Sequence, residues 1–328
     1  MKRLSALLVA LLVLCSACAA AAEGANAAQM IPFRFASKAE GRALLLSNEK
    51  YYAGFTPNKL AYLMQDKNAT MEEYLAMAGE QVEEWTDAET EMIAGYMRDI
   101  SDRFARNGWT MPPLDTVVFV KTTMAEENFV SGYTHGARIY LSSTFETFAS
   151  MPEQRRPGDA IAVLLAHELF HCLTRRNPDF RRAMYGIIHF TIAERDFELP
   201  PSVLEYYIAN PDVERHDAYA TFRIDGRDID CFTAFVTKKH FERPGDSFIA
   251  DRETALVPID GTDAWYPKDR ASNFYDIFGR NTDYVLDPEE CLAANFANAV
   301  WYGMDGKGGK GYPNPEIIRA ICDVLSEY

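Results

Sequence analysis

The sequence lacks an apolar stretch long enough to cross a bilayer. Its N-terminal run from Ala6 to Leu14 falls far short of the roughly 20 residues a spanning helix needs. It is also poor in positive charge, with 33 Lys and Arg against 48 Asp and Glu and a net charge of −15. A field of that sign repels nucleic acid and anionic membrane surfaces, and the arginine pairs at 155–156, 175–176 and 181–182 are too short to offset it. No nucleic-acid partner is expected. Past Cys15 and Cys18, none of Cys172, Cys231, Cys291 and Cys322 are spaced as Cys-x-x-Cys, which excludes a cysteine-based zinc or redox motif. The glycine-rich run Gly306–Gly311 is no phosphate loop, because each Gly-Lys pair is followed by Gly where Ser or Thr is needed. There is no internal repeat. What the chain does have is core material: 20 Phe, 17 Tyr and 4 Trp in 328 residues, enough for one large domain or two modest ones.

The start of the chain reads as a leader. Lys2 and Arg3 form a positive n-region before the apolar run, and Leu14-Cys15-Ser16-Ala17-Cys18 resembles a bacterial lipobox. The expectation is a signal peptide over residues 1–17, lipidation of Cys18 and a tether over 18–35, making an exported envelope lipoprotein held to the membrane by its N-terminal lipid. Cleavage up to about residue 27, at Ala25-Asn26-Ala27 or within 19–22, is the alternative and gives a periplasmic or secreted protein. Export permits disulfides among the four later cysteines, in any of three pairings.

Residues 36–112 read as a helical region. Thr56-Pro57, Thr70 with Glu73, and Thr86 with Glu89 are helix starts, the last two spaced as capping boxes. Asp115–Thr122 and Ala137–Ser142 read as strands. From Asp159 to Asn177 runs one helix, capped by Asp159 and stopped by Asn177-Pro178, with apolar residues on every side, the mark of a buried helix. The stretch 198–245 reads as a β-rich insert within a domain spanning 113–328. Further helices open at Asp287-Pro288 and Asn314-Pro315.

Three ionisable residues on the buried helix carry the chemistry: His167-Glu168-Leu169-Phe170-His171. Residues four apart lie one turn above each other, so both imidazoles reach one zinc ion, and Glu168 sits one step round as the general base for a zinc-polarised water. Zinc needs a third protein ligand. The metzincin spacing would need Gly at 174 and His at 177, which are Thr174 and Asn177, so that class is excluded. A Glu on a second helix is the other common solution. Glu290, in the first turn of a small-residue helix, is the expected ligand, with Glu289, Glu194 and Glu198 as rivals; Asp287 and Glu290 are also spaced as a capping box.

The helix pair resembles the gluzincin metallopeptidases, whose third ligand is a Glu on a downstream helix. The stretches Tyr133–Leu141, the helix through Asn177-Pro178, Leu199–Pro201, Asn210–Asp212 and Asn281–Phe296 are similar to a group of exported bacterial metallopeptidase-like proteins. Two departures stand out: gluzincins carry an Asp four residues after the ligand Glu, where this chain has Ala294, and the gap from His171 to Glu290 is long. The resemblance implies an α+β zincin-like fold, mainly helical with a small mixed sheet, and zinc-dependent hydrolysis of a peptide or protein substrate. It also implies an edge strand that binds substrate backbone, a place that Ala137–Leu141 would take, and a donor to the oxyanion, for which Tyr284 is preferred over His216 and Tyr275. The alternative is a catalytically silent lipoprotein that keeps the fold to bind a partner.

Overall fold

The computed structural model describes residues 30–328, so the leader and Cys18 lie outside the described residues. The fold is α+β, mainly helical, with a small mixed sheet and a separate antiparallel sheet. Strand β1 (Phe33–Phe35) comes first, followed by helices α1 (Lys38–Leu46), α2 (Glu49–Tyr52), α3 (Pro57–Met64) and α4 (Met71–Glu80), strand β2 (Val82–Glu83) and helix α5 (Asp87–Asn107). Thr56, Thr70 and Thr86 cap α3, α4 and α5, and the last two form complete capping boxes with Glu73 and Glu89. Next come β3 (Val117–Thr122), β4 (Gly132–His135), β5 (Arg138–Ser142), α6 (Thr144–Ser150), α7 (Gly158–Arg176) and α8 (Pro178–Ile187). Strand β6 (Thr191–Ile192), α9 (Pro201–Leu204), β7 (Ala218–Ile224), β8 (Arg227–Thr237), β9 (Arg252–Pro258) and β10 (Tyr266–Pro267) follow. Helices α10 (Phe274–Phe278), α11 (Pro288–Tyr302) and α12 (Pro315–Glu327) end the chain.

The first sheet runs β1-β3-β5-β4, with β1, β3 and β5 parallel, β4 antiparallel, and β2 pairing with one end of β3. This corrects the expected edge. Residues 137–141 form an inner strand, because β3 pairs with one flank of β5 and β4 with the other, and β4 is the edge beside α7. The second sheet, β10-β9-β8-β7-β6, is antiparallel throughout and spans 191–267, wider than the insert expected at 198–245.

Residues 33–35, expected to close the tether, are a sheet strand. The change at residue 112 is one of element type rather than of core: Ile31 and the α5 residues Met92, Ile93, Met97 and Ile100 share one cluster with Leu165, Leu169, Phe296 and Ile321. All four later cysteines are free thiols. Among the described residues no helix is long and apolar enough to cross a membrane.

Helix α7 starts at Gly158, one residue before the expected start, and Asp159 accepts from Trp301 Nε1 at 3.0 Å instead of capping. Arg175 and Arg176 suit the negative end of its dipole. Asn177, held extended before Pro178, ends it. Helix α11 lies against α7, and its Ala293 and Ala297 let the two backbones approach while Phe170 and Phe296 fill the seam, ring centres 5.3 Å apart.

A candidate metal centre between two helices

Asp287 is the N-cap of α11 and accepts from the Glu289 amide at 2.8 Å, with Pro288 at the first helical position. The capping box spaced in the sequence does not form. Instead, Glu289 and Glu290 stand in the first turn, where the helix dipole favours carboxylates, and both are buried against α7. Neighbouring residues on a helix point about 100° apart, so the two take different tasks.

Glu290 turns to the histidine pair. Its Oε2 lies 3.1 Å from His167 Nε2 and 3.7 Å from His171 Nε2, and its Oε1 accepts from Asn210 Nδ2 at 2.5 Å and Tyr284 Oη at 3.3 Å. Burial alone would raise the Glu290 carboxyl; the hydrogen bonds with His167 and Asn210 oppose it, and the group is held below the usual carboxylate range. Glu289 takes the other side of His171, its Oε1 3.0 Å from His171 Nδ1. Thr174 Oγ1 donates to that oxygen at 2.5 Å, and Tyr185 Oη donates to Oε2 at 2.6 Å. Burial opposes the Glu289 charge, but the bonds from His171 and Thr174 and the Arg181 charge win, so the carboxylate stays ionised. It therefore accepts Nδ1–H from His171, whose burial favours the neutral ring, and leaves the Nε2 lone pair bare. That nitrogen is buried and has no hydrogen-bond partner. An orphaned acceptor of this kind, facing a second imidazole and a carboxylate, fits a metal ion. The ligand atoms of His167, His171 and Glu290 all lie within 4.8 Å of one another, and such a buried trio can hold one.

Glu168, on the next position of α7, is 2% exposed and accepts from Thr134 Oγ1 at 2.7 Å. Burial pushes its carboxyl up, the Thr134 bond opposes this, and the Glu290 charge adds to the rise. Gly132 on β4 makes room for it: a Cβ there would stand 3.2 Å from Glu168 Oε1 and 3.3 Å from the Tyr140 carbonyl. In front of the cluster opens a cleft of about 490 Å³, whose lining includes Val130, Gly132, Val163, Leu164, His167, Glu168 and Tyr284.

The structure thus brings His167, Glu168, His171, Glu290 and Tyr284 together. Glu194 and Glu198 are exposed and outside the cluster. His216 lines a different cavity, where its Nε2 pairs with Tyr207 Oη at 3.0 Å, and Tyr275 stacks under Arg280. Cys172 and Cys291 are buried, and Cys291 Sγ contacts the Phe278 carbonyl at 3.5 Å. Two residues at the site were missed by the sequence reading. Thr134 holds the Glu168 carboxylate, and Asp212 joins Glu168 and His171 in a second trio of ligand-type atoms within 4.8 Å. The only signal for Asp212 was its place in the Asn210-Pro211-Asp212 turn. Glu289, the residue before Glu290, orients His171. Comparison with family models, curated proteins and solved structures finds no match.

Proposed function

We propose that the chain is a zinc-dependent peptide hydrolase of the gluzincin type, exported to the cell envelope. The observation that carries this reading is the bare, buried Nε2 of His171 facing His167 Nε2 and Glu290 Oε2, with a buried carboxylate on the adjacent residue of the same helix. His167, His171 and Glu290 would hold the metal, two neutral nitrogens and one anionic oxygen, a set that suits zinc. When bound, zinc would supply Lewis acidity, polarising a carbonyl and making a nearby water more acidic.

The remaining work falls to the chain. Glu168, already shifted toward proton affinity by burial, takes a proton from a water in the cleft and returns it to the departing amine. Thr134 fixes the carboxylate for that transfer. Tyr284 Oη, at the cleft wall and within reach of Glu290, is placed to donate to the oxygen that gains charge. The outward backbone of β4 at Gly132, beside the base, supports an extended peptide as substrate.

The test is zinc content of the purified protein with and without His167→Ala, together with a peptide-library assay of Glu168→Gln. One zinc per chain, lost in the His167 variant, and turnover reduced by roughly 10²–10⁴-fold in the Glu168 variant are expected. Zinc held by a protein that cleaves nothing favours a silent binding module. No zinc in the wild type removes both readings.

A further inference from the structure

The outer edge of β4 is a line of backbone beside the metal cluster, and much of it is already taken. In the register of β4 with β5, the residues at 131, 133 and 135 turn their polar groups to β5, so Gly132, Thr134 and Gly136 turn theirs outward. Thr134 N donates to Asp212 Oδ1 at 2.7 Å, and Gly136 N donates to Glu214 Oε1 at 2.9 Å. Alternate amides of one strand are thus accepted by alternate side chains of one neighbouring segment. Carboxylates stand where a paired strand would present carbonyls.

Asp212 also reaches the metal cluster. Its Oδ1 lies 3.9 Å from His171 Nε2, the bare nitrogen, and its carboxylate is grouped with that of Glu168. The segment has no helix or strand of its own between 208 and 217, and side chains from outside hold it down. Arg175 donates to the Asp212 carbonyl at 3.0 Å and pairs with Glu214 at 3.1 Å, Lys59 Nζ donates to the Ala209 carbonyl at 2.6 Å, and Asn210 is tied to Glu290. Ile208 and Ala209 before it and Asp217 after it are buried and anchor its ends, while the ties named for 210–214 are polar contacts that can be exchanged for others.

We propose that residues 210–214 form a built-in strap over the substrate edge of the site, in which Asp212 and Glu214 occupy the places of a bound peptide's carbonyls and must leave β4 before a peptide pairs there. This rests on the peptide-hydrolase reading above. A closed strap lowers apparent affinity by the fraction of molecules in which the edge is open, and a variant that cannot close recovers that factor.

The experiment compares zinc-loaded full-length wild type with Glu214→Ala, a partly exposed carboxylate outside both trios of ligand-type atoms. It measures bound zinc, amide hydrogen exchange at Gly136, and the dissociation constant of an apolar tripeptide hydroxamate as the probe. The expected result is equal zinc, faster exchange at Gly136, and a probe bound about fivefold tighter or more. Equal zinc with equal or weaker probe binding overturns the strap and leaves the metal reading standing. Zinc lost in the variant alone also overturns the strap, because Glu214 would then support the metal instead of covering the edge. No zinc in either protein overturns both readings.

Discussion

Two of the buried charge clusters among the described residues are finished differently. Under the N-terminal helices, Lys59 on α3 is fully buried, yet its ammonium has three partners: Tyr51 Oη, Glu127 Oε2 at 3.2 Å and the Ala209 carbonyl at 2.6 Å. Three donors meet three acceptors, and the Tyr51 and Phe55 rings close over the charge. Between α7 and α11, two imidazoles and a carboxylate converge at the inner wall of the cleft, His171 and Glu290 fully buried and His167 partly exposed, and His171 Nε2 is left bare. A buried polar atom without a partner costs free energy, and a metal ion held by the trio would supply the missing partner. The contrast is between an ammonium whose three donors are all met and a nitrogen that is left with a free acceptor.

The largest expected effect tests the open cluster. Glu290→Gln removes the anionic ligand, so tight zinc binding should be lost while circular dichroism of the metal-free variant shows the native helix content. Zinc retained in this variant, but lost in Glu289→Gln, would exchange the roles given to the two carboxylates. Next in size is Lys59→Met. Breaking a buried ion pair from one side costs about 3–5 kcal/mol, because Glu127 is left without its cation. Denaturant titration measures this, and the folded fraction should still bind zinc. If zinc affinity falls as steeply as stability, the clusters are coupled through Ala209 and Asn210, and the contrast between them fails.

Glu289→Gln sharpens the comparison further. This side chain touches no other group of the ligand trio than His171, which it orients, so losing its charge should weaken zinc binding by about 10–100-fold without abolishing it. Competition with a chromophoric chelator gives the ratio.

These residues differ in how far the sequence announced them. The threonine caps at 56, 70 and 86 were legible because a cap is set by a few neighbouring residues. The pairing of His167 with His171 followed from helical period alone. Glu290 could be singled out as a carboxylate opening a small-residue helix, but its division of labour with Glu289 depends on how α11 is rotated against α7. The order of the first sheet was not legible either. It depends on β1, three residues at the end of the expected tether, pairing with β3 more than 80 positions away. Pairing of β3 with one side of β5 and of β4 with the other puts β5 inside and makes β4 the edge. Asp212 was least visible of all, since its path is fixed by Arg175 and by the edge of β4 rather than by any local pattern.

The smallest predicted effect compares neighbouring residues, Glu126 and Glu127. Glu127 has Lys59; Glu126 has no cation. Its Oε1 accepts from Thr122 Oγ1 at 2.6 Å and Tyr133 Oη at 3.0 Å, and its Oε2 is buried without a partner. Burial dominates and pushes this carboxyl from 4.5 up to about 7. The sign of the pH dependence follows. Below about 4.5 the folded and unfolded chains both carry the proton, so nothing depends on pH. Between there and about 7 the unfolded chain has released it while the folded chain keeps it, so the group's contribution to stability falls as pH rises. Above about 7 both are ionised and the loss is complete. His216, pushed down to about 4 by burial, acts the other way, and its contribution is lost as pH falls from 6.5 through that value. A single stability curve therefore mixes two opposed slopes. The difference between wild type and Glu126→Gln isolates one of them. Measured by urea denaturation of metal-free protein, that difference should be constant below about 4.5, move steadily in favour of the variant up to about 7, and be constant again above. A difference flat across the whole range would mean that Glu126 is ionised in the fold and that its neighbour's cation serves both carboxylates.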